Sequence, residues 1–165
     1  PLIEKAKLEH QLGLNANAFN TLTQLEQAAP QTMPLAAELL AQVAKSCGQQ
    51  TVALEKLKNN YDTLPSVDVL EAIIQLGDDR QSARDWYVKH LERQPSLLAA
   101  SRWIAGERFE NEQPHKLVQR ALDQATKPLM RYRCAACGFE ATQHFWHCPG
   151  CQAWDSYPAR RIEEL

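Results

Sequence analysis

Two Cys-x-x-Cys pairs near the end of the chain constrain its fold more than any other feature. Cys134 and Cys137 form the first pair, Cys148 and Cys151 form the second, and ten residues separate the two pairs. Four thiolates can saturate a tetrahedral metal ion, and each pair can point two sulfurs at that ion from one tight turn. We therefore predict one metal ion bound by these four cysteines. A tetrahedral set of sulfurs suits iron and zinc alike.

Other interpretations of the cysteines are weaker. Two disulfides would require an oxidising compartment, and a redox-active Cys-x-x-Cys pair normally occurs singly at the start of a helix. His144 and His147 flank the second pair and could replace one sulfur as a ligand. Cys47 is the fifth cysteine and is predicted to pack at a helix end. We predict no catalytic residues and no cofactor-binding residues besides the metal ligands.

The residues around the cysteines predict a small ribbon. Gly138 follows the first pair, where a tight turn often needs positive φ. Residues 139–146, between the pairs, are predicted to form a short hairpin. A unit of about 30 residues buries too little apolar surface to fold by itself, so the metal is predicted to have a structural role.

The ribbon carries more large aromatic side chains than it can cover internally. The surplus consists of Phe145, Trp146 and Trp154. We predict that some of them pack on the preceding helices, with Trp103 and Phe109 as counterparts. The connection "TKPLM" is too short and too apolar for a flexible tether, so Leu129 and Met130 are predicted to be buried at the joint.

Upstream of the ribbon, apolar residues recur at the three- and four-residue spacings of helices. The helices are predicted at about 2–12, 16–28, 33–46, 49–60, 66–76, 79–93, 96–109 and 114–126. Three residue types recur in phase with them, namely the prolines Pro30, Pro65, Pro95 and Pro128, the alanines Ala18, Ala53 and Ala83, and the glycines Gly13, Gly48 and Gly77. Glycine can end a helix in the left-handed conformation, alanine permits close helix approach, and proline ends the second helix of each pair.

The spacing of these markers, about 34 residues, resembles that of tetratricopeptide repeats. The predicted fold is therefore mostly α, with about four tetratricopeptide-like helix pairs in residues 1–127. Residues 128–165 are predicted to form the rubredoxin-like or zinc-ribbon metal-binding domain and a tail. An irregular helical bundle is the alternative for the first part. Repeat arrays usually bind partners on the concave face; candidates to line it are Lys7, His10, Gln42, Lys45, Gln75 and Arg102.

Charge and hydropathy exclude several classes of protein. The formal net charge is −2, and neither residues 1–126 nor residues 127–165 carry the basic excess of a nucleic-acid binder. The apolar runs are too short to span a bilayer. The chain opens on Pro1 within an amphipathic helical pattern, which predicts a soluble fragment whose upstream part has been removed.

The combination of a tetratricopeptide-like array with "YRCAACGF" and "WHCPGCQAW" resembles the C-terminal part of the lipopolysaccharide assembly protein B family of Gram-negative bacteria. The resemblance implies a non-enzymatic adaptor that regulates lipopolysaccharide synthesis at the cytoplasmic face of the inner membrane. In that family a transmembrane helix precedes the repeats. The implied partners are the lipid A deacetylase, the membrane-bound ATP-dependent protease and other lipopolysaccharide proteins. The rubredoxin-type domain of the family implies metal ligands at the four paired cysteines.

Two other functions compete with the adaptor. The two Cys-x-x-Cys turns, here called knuckles, resemble those of rubredoxins, which favours electron transfer by bound iron. However, the ten-residue spacer between them is short, and Gln152 stands where rubredoxins usually have glycine. A zinc ribbon that binds nucleic acid would need a basic face, whereas residues 127–165 carry five basic and four acidic residues.

Overall fold

The computed structural model describes residues 1–77, 80–109 and 112–165, and these are mostly helical. The α-helices are α1 (Leu2–Gln11), α2 (Asn15–Ala28), α3 (Ala37–Cys47), α4 (Gln50–Thr63), α5 (Val67–Leu76), α6 (Arg80–Arg93), α7 (Leu97–Gly106) and α8 (Glu112–Thr126). Two 3₁₀ helices span Pro30–Leu35 and Ile162–Glu164, and two short strands are β1 (Tyr132–Arg133) and β2 (Glu140–Ala141). The predicted mostly α fold with a C-terminal four-cysteine module is confirmed.

The predicted helix bounds agree with the structure to within about three residues, with one difference. The third helix was expected from residue 33, but a 3₁₀ helix occupies Pro30–Leu35 and α3 begins at Ala37. Pro34 lies inside this 3₁₀ helix, and its missing N–H is incompatible with a regular α-helical ladder. The predicted start of the sixth helix, Asp79, lies outside the described residues.

The chain forms two compact units, Pro1–Ala83 and Arg84–Leu165, whose boundary falls within α6. The predicted domain boundary between residues 127 and 128 stays a prediction. No helix in the described part of the chain combines the length and the apolarity needed to cross a membrane.

Two of the recurring alanines and two of the recurring glycines have the expected roles in the first unit. Ala18 and Ala53 are completely buried, as close approach of paired helices requires. Gly13 and Gly48 have φ values of 75° and 72°, the left-handed conformation expected after α1 and α3. Gly77 differs, because its φ of −74° and ψ of 143° are extended. The expected left-handed turn after α5 is therefore wrong, and the chain leaves that helix in an extended conformation.

Hydrogen bonds link successive helix pairs of the first unit at a separation of 30 residues. The buried Asn60 donates from Nδ2 to the Pro30 carbonyl at 3.0 Å. Lys56 Nζ lies 2.8 Å from a Glu26 carboxylate oxygen, and both side chains are largely buried. Each of the four recurring prolines stands two residues beyond a helix end, where the chain turns towards the next element. The two polar links thus connect the first helix pair to the second helix of the next pair.

In the second unit, α8 packs on α7 through a polar face. His115 Nε2 lies 3.1 Å from the Ile104 carbonyl oxygen, and Gln119 donates to Ser101 Oγ at 3.2 Å. Two apolar residues of α8 point the other way, since Leu117 is 65% exposed and Val118 is 51% exposed. This helix therefore presents part of its apolar surface to solvent.

Candidate metal centre

Each cysteine pair lies in a knuckle whose preceding and following residues pair with each other in antiparallel fashion. Around the first pair, β1 and β2 are antiparallel, with Tyr132 opposite Ala141 and Arg133 opposite Glu140. Around the second pair, His147 and Trp154 form an isolated antiparallel bridge. The predicted hairpin over residues 139–146 is wrong, because the strands pair across the knuckles. The Cys-x-x-Cys turn itself reverses the chain and brings its own flanks together.

The two knuckles share one backbone conformation. The N–H of Gly138 donates to the Cys134 carbonyl at 2.9 Å, and the N–H of Gln152 donates to the Cys148 carbonyl at the same distance. Both donors are left-handed, with φ of 77° for Gly138 and 62° for Gln152. Positive φ is confirmed at Gly138. Gln152 occupies the matching position without the conformational freedom of glycine.

The four knuckle cysteines gather their sulfur atoms in one place. The Sγ atoms of Cys134, Cys137, Cys148 and Cys151 all lie within 4.8 Å of one another. The Cys134–Cys151 and Cys137–Cys148 Sγ distances are 3.8 and 3.7 Å. A tetrahedral site with metal–sulfur bonds of about 2.3 Å has sulfur–sulfur edges of about 3.8 Å. The cysteines are thus clustered to hold one metal ion, and this donor set accepts iron or zinc.

These distances do not describe disulfides, whose sulfurs lie about 2.05 Å apart. All four cysteines are free thiols, and so is Cys47, which is half-buried in the first unit. Its Sγ lies 3.9 Å from the Ala44 carbonyl oxygen at the end of α3. This placement agrees with the predicted packing role of Cys47.

The cluster is half covered by protein. The first cysteine of each pair, Cys134 and Cys148, is buried, and the second, Cys137 and Cys151, is exposed. One side of the cluster therefore faces the interior of the ribbon and the other faces solvent.

The neighbouring groups give the thiols unequal acidity. A hydrogen bond between the Cys134 sulfur and the Ser156 hydroxyl, 3.2 Å apart, lowers the pKa of Cys134 to about 6. The Phe139 N–H favours ionisation of Cys137, but the neighbouring sulfurs and partial desolvation outweigh it and raise the pKa of that thiol to about 12. Four thiolates so close together repel one another, so the set needs a cation to be fully ionised.

Two residues that surround the cluster carry no signal in the sequence. Ser156 contacts Cys134, and the buried Tyr157 donates from its hydroxyl to the Phe139 carbonyl at 3.1 Å. Burial and a hydrogen bond with Cys148 raise the pKa of Tyr157 to about 12, so its hydroxyl remains protonated at neutral pH. Both residues follow the second knuckle, and only the folded ribbon brings them to the first one.

The two flanking histidines have other partners. His144 Nε2 lies 3.0 Å from the Tyr157 carbonyl oxygen, and burial lowers the pKa of this imidazole. The His147 ring packs against the Trp154 ring with centroids 4.6 Å apart. Within the described residues, the cluster suited to a metal contains the four knuckle cysteines and neither histidine.

Several predictions about aromatic and apolar contacts between the ribbon and the preceding helices are wrong. Trp154 is 71% exposed, so it is not buried against the helices, and its ring packs against the ring of His147. Met130 is also exposed. Phe109 is exposed and contacts His115, with ring centroids 4.5 Å apart. The tail makes the contact to the helices instead, through hydrogen bonds from Ser96, Leu97 and Leu98 to the Glu163 carboxylate.

Similarity to known proteins agrees with this site. Residues 132–157 match the family model described as the rubredoxin metal binding domain. Two curated relatives come from Escherichia coli and Haemophilus influenzae. Both are named lipopolysaccharide assembly protein B. This finding confirms the resemblance seen in the sequence.

The similarity to these relatives is partial. The relative from Escherichia coli is 27% identical over 103 residues, which are 59% of this chain and 26% of the relative. The relative from Haemophilus influenzae is 25% identical over 92 residues, which are 53% of this chain and 23% of the relative. The chain thus spans about a quarter of the length of the curated relatives that it matches. The name of both relatives refers to lipopolysaccharide assembly.

Proposed function

We propose that this chain is part of a non-enzymatic adaptor that regulates lipopolysaccharide synthesis. The observation that carries the proposal is the four-cysteine ribbon after a helical array, in a chain that is partly similar to relatives named for lipopolysaccharide assembly. Such arrays typically act by binding other proteins along an extended surface. Exposed polar side chains on the first helices of the pairs, such as Gln42 and Lys45, are candidates for this surface.

The proposed adaptor acts on the enzyme that commits precursor to lipid A. It presents this deacetylase to the membrane-bound ATP-dependent protease at the cytoplasmic face of the inner membrane and so limits the amount of the deacetylase. Gathering other lipopolysaccharide proteins at the membrane is a compatible second task. Support for this proposal comes from the names of the relatives and from the family resemblance in the sequence.

The proposed metal ligands are Cys134, Cys137, Cys148 and Cys151, because their sulfur distances match the edges of a tetrahedral site. A bound ion would cross-link the two knuckles and neutralise their thiolates. The backbone N–H groups of Gly150 and Cys151 lower the pKa of Cys148 against the effect of its burial, which prepares that sulfur for the ion. The proposed role of the metal is structural.

A reconstituted degradation assay tests the adaptor. The purified chain is added to the deacetylase and to the protease in proteoliposomes, and the deacetylase is followed with time. We expect the chain to bind the deacetylase and to change its rate of degradation. Cys148→Ser should weaken this effect to the part that the first unit supplies, whereas the matched control Cys47→Ser, outside the cluster, should leave it unchanged. Absence of binding to both proteins by the intact chain would contradict the proposed function.

Electron transfer is the alternative that one observation favours. Cys137 and Cys151 are exposed, so one side of the cluster reaches the surface, where an electron could be exchanged. This alternative predicts red protein with bound iron that is reduced and reoxidised reversibly. Colourless protein with one equivalent of zinc would exclude it.

The ribbon supports nucleic-acid binding less than it supports the adaptor function or electron transfer. Arg133 donates from Nε and Nη2 to Glu140 at 3.1 and 2.8 Å, and Arg131 lies 3.7 Å from the same carboxylate. Both guanidinium groups are therefore partly neutralised within the ribbon, which weakens the electrostatic attraction to phosphates.

A further inference from the structure

The last residues of the chain form a strap between the four-cysteine ribbon and α7. We define the strap as residues 161–164, which contain the 3₁₀ helix Ile162–Glu164. One end is held by the ribbon strand β1 and the residues just before it, and the other end contacts the first turn of α7. Both contacts lie within the second compact unit.

The contact with α7 is a carboxylate cap. Glu163 accepts hydrogen bonds from the Ser96 hydroxyl at 2.7 Å, from the Leu97 N–H and from the Leu98 N–H at 3.1 Å. Ser96 Oγ itself accepts from the Ala99 N–H at 3.0 Å. The first three N–H groups of the helix, which have no partner within it, are thus satisfied by two side chains. A negative charge at this position also interacts favourably with the helix dipole.

The contact with the ribbon depends on the residues just before the first knuckle. The Ile162 N–H donates to the Arg131 carbonyl at 2.8 Å, and Arg161 Nη1 donates to the Met130 carbonyl at 2.6 Å. The Arg161 guanidinium also lies over the Tyr132 ring, 4.4 Å from its centroid. Tyr132 is the first residue of β1, which pairs with β2 across the first knuckle.

These two contacts connect the four-cysteine cluster to α7. The position of β1 depends on the first knuckle, and the N–H of Cys134 donates to the Phe139 carbonyl next to β2. A ribbon of this size needs the bound ion to stay folded. When the ribbon unfolds, the strap loses its anchor, and the local concentration of the Glu163 carboxylate near α7 falls.

We propose that Glu163 couples occupancy of the four-cysteine site to the stability of the α7 N-terminus. With the ion bound, the strap is anchored and the first turn of α7 is capped. Loss of the ion releases the cap, so the helix frays at its start. Glu163 acts through the first turn of α7 and does not contact the ion. This coupling rests on the proposed metal-binding role of the cysteines and not on the proposed regulatory function.

Amide hydrogen exchange in the full chain tests the coupling. Metal-loaded protein is compared with protein treated with a chelator under reducing conditions, and exchange at Leu97, Leu98 and Ala99 is followed by NMR. We expect these amides to exchange at least about tenfold faster without the metal, because fraying exposes them. Leu40 in α3 serves as the internal reference and should not change.

Two substitutions within the strap make the test specific. Glu163→Ala, which removes the acceptor oxygens and the charge, should accelerate exchange at Leu97 and Leu98 in the metal-loaded protein as strongly as metal removal does, and it should add nothing after removal. The control Glu164→Gln should have no such effect, because its amide oxygen can still accept from the Arg161 N–H and it makes none of the contacts with α7. The proposal is overturned if metal removal leaves the α7 amides protected, or if both effects add independently.

Discussion

At the scale of single residues, the two knuckles differ in one conformational detail. Gly138 and Gln152 have the same left-handed conformation and make the same hydrogen bond to the first cysteine of their pair. A residue with a Cβ atom in this conformation is strained by about 1–2 kcal/mol, whereas glycine is not. The side chain of Gln152 is exposed, so its removal sacrifices little packing. The second knuckle therefore contains a strained position.

Gln152→Gly is expected to stabilise the ribbon by about 0.5–1 kcal/mol. The relief of strain is partly offset by the larger conformational entropy that glycine loses on folding. The measurement is the free energy of opening from amide exchange in the metal-loaded ribbon. Ala153→Gly, at a neighbouring residue with negative φ, is the matched control and should destabilise the ribbon. Equal effects of the two substitutions would show that strain at residue 152 is not the cause.

The buried His90 should make the free energy of unfolding of the second unit depend on pH. His90 is completely buried, and burial lowers the pKa of its imidazole, although the charge of Glu163 opposes this effect. The unfolded chain protonates this histidine at about pH 6.5, before the folded chain does. The stabilising contribution is therefore complete above about pH 6.5 and is lost as the pH falls towards the lower pKa of the folded state.

We expect the free energy of unfolding of the second unit to decrease between pH 7 and pH 5.5. His90→Gln should make this decrease smaller, and His144 should supply part of the remainder, because burial also lowers the pKa of His144. Denaturant unfolding at several pH values measures the slope. His10→Gln, in the first unit, is the control and should leave the slope of the second unit unchanged.

At the scale of secondary-structure elements, burial separates leucines that look alike in the helical pattern. Leu57 on α4 is completely buried, whereas Leu8 on α1 and Leu12, the residue that follows α1, are 60% and 74% exposed. Leu117 on α8 is exposed because that helix turns its polar face towards α7. Periodicity alone marks all four positions as apolar, and only the packing of the helices decides which of them stabilise the fold.

Leu57→Ala should destabilise the first unit by about 2–5 kcal/mol, because it removes buried methyl groups and leaves a cavity. The same substitution at Leu12 should cost at most about 0.5 kcal/mol. Thermal or denaturant unfolding followed by circular dichroism gives both values. Comparable losses for the two variants would mean that Leu12 is covered in solution.

At the scale of the whole molecule, the two compact units are stabilised by different means. The first unit has a continuous apolar core that includes Leu22, Leu40, Val69 and Ile73, all nearly inaccessible to solvent. In the ribbon of the second unit, the first cysteine of each pair takes part in the buried interior. Stability of the first unit should therefore not depend on metal, whereas the ribbon should require it.

Removal of the metal, or the substitution Cys134→Ser, is expected to unfold residues 131–157 and to leave the first unit helical. Amide exchange resolves the two parts, and far-ultraviolet circular dichroism should change little because the ribbon contains little regular structure. Cys47→Ser is the control for the loss of a thiol. A metal-free ribbon that keeps its amide protection would contradict the structural role of the ion.

The sequence alone predicted the helices, the ribbon and the clustering of the cysteines. These features depend on local chemistry: apolar periodicity selects helices, glycine and proline end them, and a Cys-x-x-Cys turn brings its sulfurs together. Gly138 illustrates the point, because a tight knuckle requires positive φ whatever surrounds it. Gly77 marks the limit, since its extended conformation depends on how the chain leaves α5.

The tertiary structure alone decided which surfaces meet. Trp154 was expected on the helices but packs against His147 at the surface, and Leu117 and Val118 of α8 are exposed. Glu163 reaches the start of α7 across 65 residues of sequence. Contacts of this kind depend on the relative placement of elements far apart in the chain, and a carboxylate near the terminus carries no local signal of the helix that it caps. The physical reason is that local propensities choose conformations, whereas the packing of complete elements chooses partners.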